Sequence, residues 1–168
     1  RTLALSDGTF RDMPTSITAG EAKRLLRLEH KAARQHRCRP RNTPTSNRLN
    51  RSYNQIARLH ARIKRRRGDW THKVTAEISR SCGLVALEDL NIVGMTRSAR
   101  GTVENPGKNV RSKSGMNRAI LEMTWGRIGD HLAYKTAREG GTLAKVPAPY
   151  TSQRCHACGH LDPKSRRS

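Results

Sequence analysis

The sequence predicts an α/β fold, a mixed sheet carrying an inserted basic helical hairpin. Three observations predict it. The stretch from Gly83 to Asn91 is almost wholly apolar and then ends abruptly in Glu88, Asp89 and Asn91. An apolar run of that length without alternation reads as a strand buried on both faces, as in the middle of a parallel or mixed sheet. Residues from about 19 to 80 show helical periodicity instead. A second apolar run, Thr142 to Pro147, follows a helical segment and Gly140-Gly141. That order makes a βαβ-like connection back to the first strand.

The remaining elements follow in order. Thr2 to Ser6 and Thr9 to Met13 flank Asp7-Gly8, a pair favoured in two-residue hairpin turns, where both central positions take positive φ. Asp7 is thereby assigned to turn geometry. A helix starts near Ala19 or Gly20, with Leu25, Leu26 and Leu28 as its apolar stripe. Gln35 to Ser46, with Pro40 and Pro44, reads as an exposed loop. A long helix follows from about Asn47 to Arg80, its seam formed by Leu49, Tyr53, Ile56, Ile63, Trp70, Val74 and Ile78. Gly68 marks a candidate bend. Thr96 to Ser114 is polar, basic and glycine-containing, and reads as a mobile loop that orders against a partner. One helix is expected from about Met116 to Glu139, with Trp125 and Tyr134 packing it on the sheet.

Composition narrows the partners. The 168 residues hold 34 Lys and Arg against 13 Asp and Glu, a formal charge of +21, so nucleic acid is the first partner to consider. No long apolar span or signal peptide favours a membrane. Apolar residues make up 34% and aromatics 4%, so the core is small and no aromatic platform for single strands is expected. On the helical hairpin Lys23, Arg27, Arg58, Arg62, Lys64, Arg65, Arg66 and Arg67 are candidate contacts to nucleic-acid backbone. The alternative is a solvated charged face, but one sign dominates here. The chain begins at Arg1 and stops at Ser168 within a basic tail, and is expected to be part of something longer. The cysteine spacing does not suggest a secreted disulfide framework, so a reducing cytoplasm is the expected setting.

Two stretches carry chemical signals. A carboxylate at the tip of a buried strand is costly unless it holds a metal or a cation, and functional groups in open α/β sheets cluster beyond strand carboxyl ends. Glu88 is therefore a candidate catalytic residue, while the competing reading has Glu88 and Asp89 capping the turn or helix that follows. Cys155-x-x-Cys158-Gly159 is one knuckle of a zinc ribbon, with Cys155 and Cys158 as candidate zinc ligands. The second knuckle is absent. Cys38 and Cys82 read as free thiols.

The order of these features resembles the nuclease region of the TnpB family, transposon-encoded RNA-guided DNA endonucleases related to compact type V CRISPR effectors. The matching blocks include Ile56 to Ile63, Asp69 to Lys73, Leu87 to Met95, Trp125-Gly126 and Tyr150 to Gly159. The resemblance implies a RuvC-like, RNase H-type fold in which three separated acidic motifs bind two divalent cations, Mg2+ or Mn2+, and guide RNA and target DNA are the partners. Carried over by residue, only the Glu lands here, on Glu88. The expected partition is residues 1–148 as a partial nuclease domain and 149–168 as a partial zinc ribbon. Such a segment would lack two acidic motifs and a central strand, leaving exposed sheet edges, an incomplete core and no cleavage. The alternatives are a nuclease-dead or degenerate RNA-guided DNA-binding protein and a small type V effector. A basic ribosomal or chromatin-like protein would explain the charge, but not the strand ending in Glu88.

Overall fold

A computed structural model describes residues 2–40, 42–150, 153 and 158–161. The chain forms two compact units, Arg1–Lys73 and Val74–Ser168. The architecture is mixed α/β, with two small sheets and several helices.

In the first unit, β1 (Leu3–Ala4) pairs antiparallel with β2 (Phe10–Arg11). The hairpin was expected, but its turn differs. Gly8 N–H donates to Leu5 O at 3.1 Å and Leu5 N–H to Thr9 O at 2.9 Å, so the loop has three residues. Within it only Gly8 takes a positive φ, +80°. This is a turn over Ser6 and Asp7 closed by a left-handed glycine. Asp7 selects it: its carboxylate accepts the Thr9 N–H at 2.8 Å and the Thr9 hydroxyl at 2.7 Å. Both bonds hold that carboxyl below its usual pKa.

Helix α1 (Ala19–Arg37) begins at a capping box. Glu21 N–H donates to Thr18 Oγ1 at 3.2 Å, and Thr18 N–H donates to Glu21 Oε2 at 3.1 Å. The helix extends through Gln35, Gln35–Arg37 having been assigned to a loop, and buries Leu28 and Ala32. Leu26 is 54% exposed, so it is not part of the apolar stripe. It lies two residues before Leu28, about 200° around the helix.

Helix α2 (Asn47–Ser81) passes through Gly68 without a break in its helical assignment and continues from the first unit into the second. Its buried line keeps Leu49, Ile63, Val74 and Ile78 from the expected seam but substitutes Leu59 and the hydroxyl residues Ser52, Thr71, Thr75 and Ser79. Tyr53 is 41% exposed. The hydroxyls tolerate burial because they bond within the helix, Thr71 Oγ1 to Arg67 O and Ser79 Oγ to Thr75 O, each at 2.8 Å. Ser52 Oγ also donates to Gln35 Oε1 on α1 at 2.9 Å.

In the second unit β3 (Leu84–Asp89) pairs in parallel with β4 (Thr142–Pro147), Glu88 opposite Val146, as the βαβ-like reading requires. The strand is not buried on both faces. Val85 is buried and Leu87 half-buried, whereas Leu84 is 66% exposed and Glu88 is exposed. Strand side chains alternate, and the helix spanning 125–138 packs on the Leu87 side of this two-stranded sheet.

Between the strands lie α3 (Ile92–Met95), α4 (Val110–Glu122) and α5 (Trp125–Arg138). The single helix expected over 116–139 is thus two. Thr124, at φ 57°, turns the chain out of helical geometry, which no β-branched residue signals from sequence. The break lets α5 bury Ile128, Leu132 and Thr136 independently of α4. The loop expected over 96–114 is shorter and more structured. It closes on itself through the Gly101–Pro106 bridge and Gly107 N–H to Arg100 O, 2.9 Å. Lys113 Nζ donates to Met95 O at 2.6 Å and Asn117 Nδ2 to Thr96 O at 2.7 Å, fastening α4 to the end of α3.

Gly141 fixes the approach of β4. Its N–H donates to Thr136 O, and Thr142 N–H donates to Gly83 O. A Cβ at Gly141 would stand 2.7 Å from Gly83 O and 3.0 Å from Thr136 Cγ2. Gly141→Ala is expected to cost about 1–3 kcal/mol through forced backbone shifts. Urea unfolding should show a lower midpoint with an unchanged slope.

Candidate nucleic-acid interface and the Glu88 strand end

The basic residues of the helical hairpin separate into two groups. On α1, Lys23, Arg27, Lys31 and Arg34 recur at spacings of four, four and three, all exposed, on one flank of the buried Leu28–Ala32 line. On α2, Arg51, Arg58, Arg62 and Arg65 recur at seven, four and three and are likewise exposed. The consecutive run from Lys64 to Arg67 is a different matter. At about 100° per residue it sweeps roughly 300° of the helix, so its members cannot share one face.

Geometry confirms the division. Arg66 grips Glu21 through Nη1 to Oε2 at 2.5 Å and Nη2 to Oε1 at 3.1 Å. Arg62 Nη1 reaches Glu21 Oε1 at 3.1 Å. Arg66 Nη1 also donates to Ser16 O at 3.2 Å, and Arg67 Nε to Ser16 Oγ at 3.0 Å. Arg66 and Arg67 therefore fasten α2 to the start of α1, and Arg62 lends one N–H to the same clamp. Glu21 was not expected as a partner. Neither the capping box Thr18-x-x-Glu21 nor the long-range arginines entered the sequence reading, which placed only the helix start.

Glu21 consequently has its pKa lowered to about 2, first by the Arg66 hydrogen bond, then by the Thr18 N–H and Arg62. Arg66 is raised in turn by Glu21.

At the C-terminal end of β3, Glu88 shares the outer face with Leu84 and Ala86 by strand alternation. Asp89 accepts from Lys145 Nζ on β4 at 3.2 Å. The helix that follows is capped by Asn91, whose Oδ1 accepts the Gly94 N–H at 2.8 Å. The capping role weighed for Glu88 and Asp89 falls to this residue. A side chain two residues nearer the helix has the reach that a strand carboxylate lacks.

Among the described residues no group of three or more His, Cys, Asp or Glu could hold a metal ion. Cys155 lies outside the described residues. Cys158, Cys38 and Cys82 are exposed free thiols.

On α5, Tyr134 is 50% exposed and does not pack the helix on the sheet. Its ring meets His131 edge-on, with centroids 5.8 Å apart. Neighbouring Lys135 instead turns inward, donating to Thr75 Oγ1 at 2.8 Å, and burial, with Arg80 and Arg138 nearby, lowers its pKa. Sequence reading missed this hydroxyl-lined seam, to which Ser79 and Thr136 add a 3.4 Å contact.

Residues 2–99 match the OrfB_IS605 family profile, described as a probable transposase, and the chain belongs to that family, the TnpB family its motifs resemble. Residues 125–168 match the Cas12f1-like TNB domain profile. Among relatives, the Escherichia coli K12 protein named "Putative RNA-guided DNA endonuclease InsQ" is 40% identical over 98% of this chain and 39% of its own length. A Mycobacterium tuberculosis protein of the same designation, MT2953, is 30% identical over 95% of this chain and 32% of its own length. The chain thus spans about two fifths or less of these relatives. Among the described residues no helix is long and apolar enough to cross a membrane.

The clamp has a pH signature. Glu21 is depressed from 4.5 to about 2, so its stabilisation is complete above pH 4.5 and is lost as pH falls through 2. Acid unfolding followed by circular dichroism should therefore show wild type losing more stability across that window than Glu21→Gln. Equal losses would remove the clamp from the stability of the hairpin.

Proposed function

We propose that this chain is part of an RNA-guided DNA endonuclease of the insertion-sequence type, whose RuvC-like, RNase H-type nuclease domain includes residues 1–148. In this reading residues 149–168 begin a zinc ribbon with Cys155 and Cys158 as ligands. Guide RNA and target DNA are the partners: base pairing supplies sequence specificity and the protein holds backbone. The observation that carries the reading is Glu88 at the carboxyl end of a parallel strand, within a chain of the OrfB_IS605 family.

Glu88 is the carboxylate that this segment contributes to the two-metal hydrolysis the family resemblance implies. Two divalent cations there would activate the attacking water and stabilise the leaving oxygen. The donors among the described residues do not make such a site by themselves. Asp89, paired with Lys145, has its charge already met. No step is therefore derived through the metals, and the 168-residue segment alone is expected not to nick DNA in Mg2+. In the intact parent protein, Glu88→Gln should abolish cleavage while guide and target binding stay near normal. Surviving cleavage would remove Glu88 from the reaction.

The flanks of α1 and α2 that carry Lys23, Arg27, Arg58, Arg62 and Arg65 hold phosphates in this reading, with Lys64 as an outlying contact. Arg66 and Arg67 are reassigned to the clamp. Arg58→Ala with Arg65→Ala should reduce the dependence of log K on log salt by about one unit per lost phosphate contact. Arg66→Ala should instead lower the melting temperature. A salt slope unchanged by the Arg58 and Arg65 pair would refute the assignment.

A further inference from the structure

The strand that carries Glu88 leads through α3 into a basic arm. From the end of α3 to the first turn of α4 stand Arg97, Arg100, Lys108 and Arg111, against a single acid, Glu104. All five are exposed, and among the described residues none of the four cationic side chains has a hydrogen-bond or ion-pair partner. The backbone nevertheless holds them together. Gly107 N–H donates to Arg100 O at 2.9 Å, which sets Lys108 one residue from the partner of Arg100, and Thr102 N–H donates to Asn105 O at 3.0 Å. Asn117 Nδ2 fastens the near end through Thr96 O and Arg97 O. Gly101 takes φ +69°, and a Cβ at Gly107 would overlap Ala99 O, so a side chain at either position opens the clasp. Lys108 and Arg111 also flank the start of α4, the helix end that disfavours cations, and no acid stands in its first turn. Like charges gathered in this way repel one another until an anion sits among them.

We propose that this arm grips backbone phosphates of the DNA strand on which Glu88 acts, and so positions the bond to be cut. The proposal rests on the endonuclease reading above. Charge selects the occupant: four exposed cations without partners suit a polyanion, and phosphate contacts fix register without reading sequence. Connectivity selects the place. Between Glu88 and Arg97 the chain passes three residues and the single turn of α3, so the arm begins no more than about 22 Å from Glu88, Cα to Cα. At roughly 3.4 Å of duplex per nucleotide, its first contacts fall within about seven nucleotides of the reacting bond. An arm already clasped loses little freedom on binding, so its contacts go into orientation.

The test uses the intact parent protein loaded with guide RNA, cutting labelled target DNA in single turnover at saturating protein. Arg100→Ala with Lys108→Ala is expected to slow cleavage roughly 10- to 100-fold, the scale of a misplaced reacting group, with guide and target binding unchanged. Arg100→Lys with Lys108→Arg keeps both charges and should recover most of the rate. Gly107→Ala keeps every cation but opens the clasp, and should reproduce the slow cleavage at an unchanged melting temperature. Methylphosphonate linkages, which remove phosphate charge, should slow wild type when placed within about seven nucleotides of the cut and leave the double alanine variant no slower than before. Wild-type rates in the double alanine variant or in Gly107→Ala would overturn the arm and leave the endonuclease reading standing. So would a loss of rate accounted for by weaker guide or target binding. No cleavage by the guide-loaded wild type would overturn that reading, and the arm with it.

Discussion

A chain with a formal charge of +21 has to keep its cations from unfolding it, and where two helices meet one carboxylate gathers two of them. Glu21 sits in the first turn of α1, where its charge also favours the helix dipole. The carboxylate whose Oε2 closes the capping box accepts Arg66, 45 residues downstream, at both oxygens and Arg62, 41 residues downstream, at Oε1. Local and long-range order therefore converge on a single side chain. Without it, Arg62 and Arg66 would add to the repulsion along α2, and the start of α1 would lose a cap and its tether together. Arg66 is consumed by this contact, Arg62 lends it one N–H while staying on the exposed stripe, and the arginines farther around the helix remain exposed.

This division could not be read from the arginine run itself. The run from Lys64 to Arg67 is conspicuous as text, yet helical geometry scatters it, and the quieter spacing of Arg51, Arg58, Arg62 and Arg65 makes the stripe. Similar reasoning separates the rest of what was legible. The Thr2–Met13 hairpin, the start of α1, the extent of α2 and the parallel return of β4 all follow from local chemistry: turn residues and an apolar period. The exposed outer face of β3 was not legible, because an apolar run records what a strand can bury but not how many strands surround it. Thr124 was hidden for a different reason. A β-branched residue at positive φ is held there by its neighbours, so its own preference points the wrong way. Ser52, Thr71, Thr75 and Ser79 count as polar in any pattern, although the helical carbonyls make them adequate core residues.

The Glu88 strand end was the most legible part of the candidate site, and the structure refines its two acids differently. Asp89 leans across to Lys145 on the paired strand, and Asn91 takes the cap. Both contacts lie within the second unit and need nothing else. Glu88 instead closes an outer strip formed with Leu84, two-thirds exposed, and Ala86. Any surface that covered those apolar side chains would also draw Glu88 out of water, and a buried carboxylate then requires a cation or several donors. Covering that strip would thereby tie apolar burial to the partners that Glu88 keeps or finds along one strand. The apolar residues favour closure and the terminal carboxylate sets the condition on what may close, so a face that looks unfinished by packing alone is also selective in its chemistry.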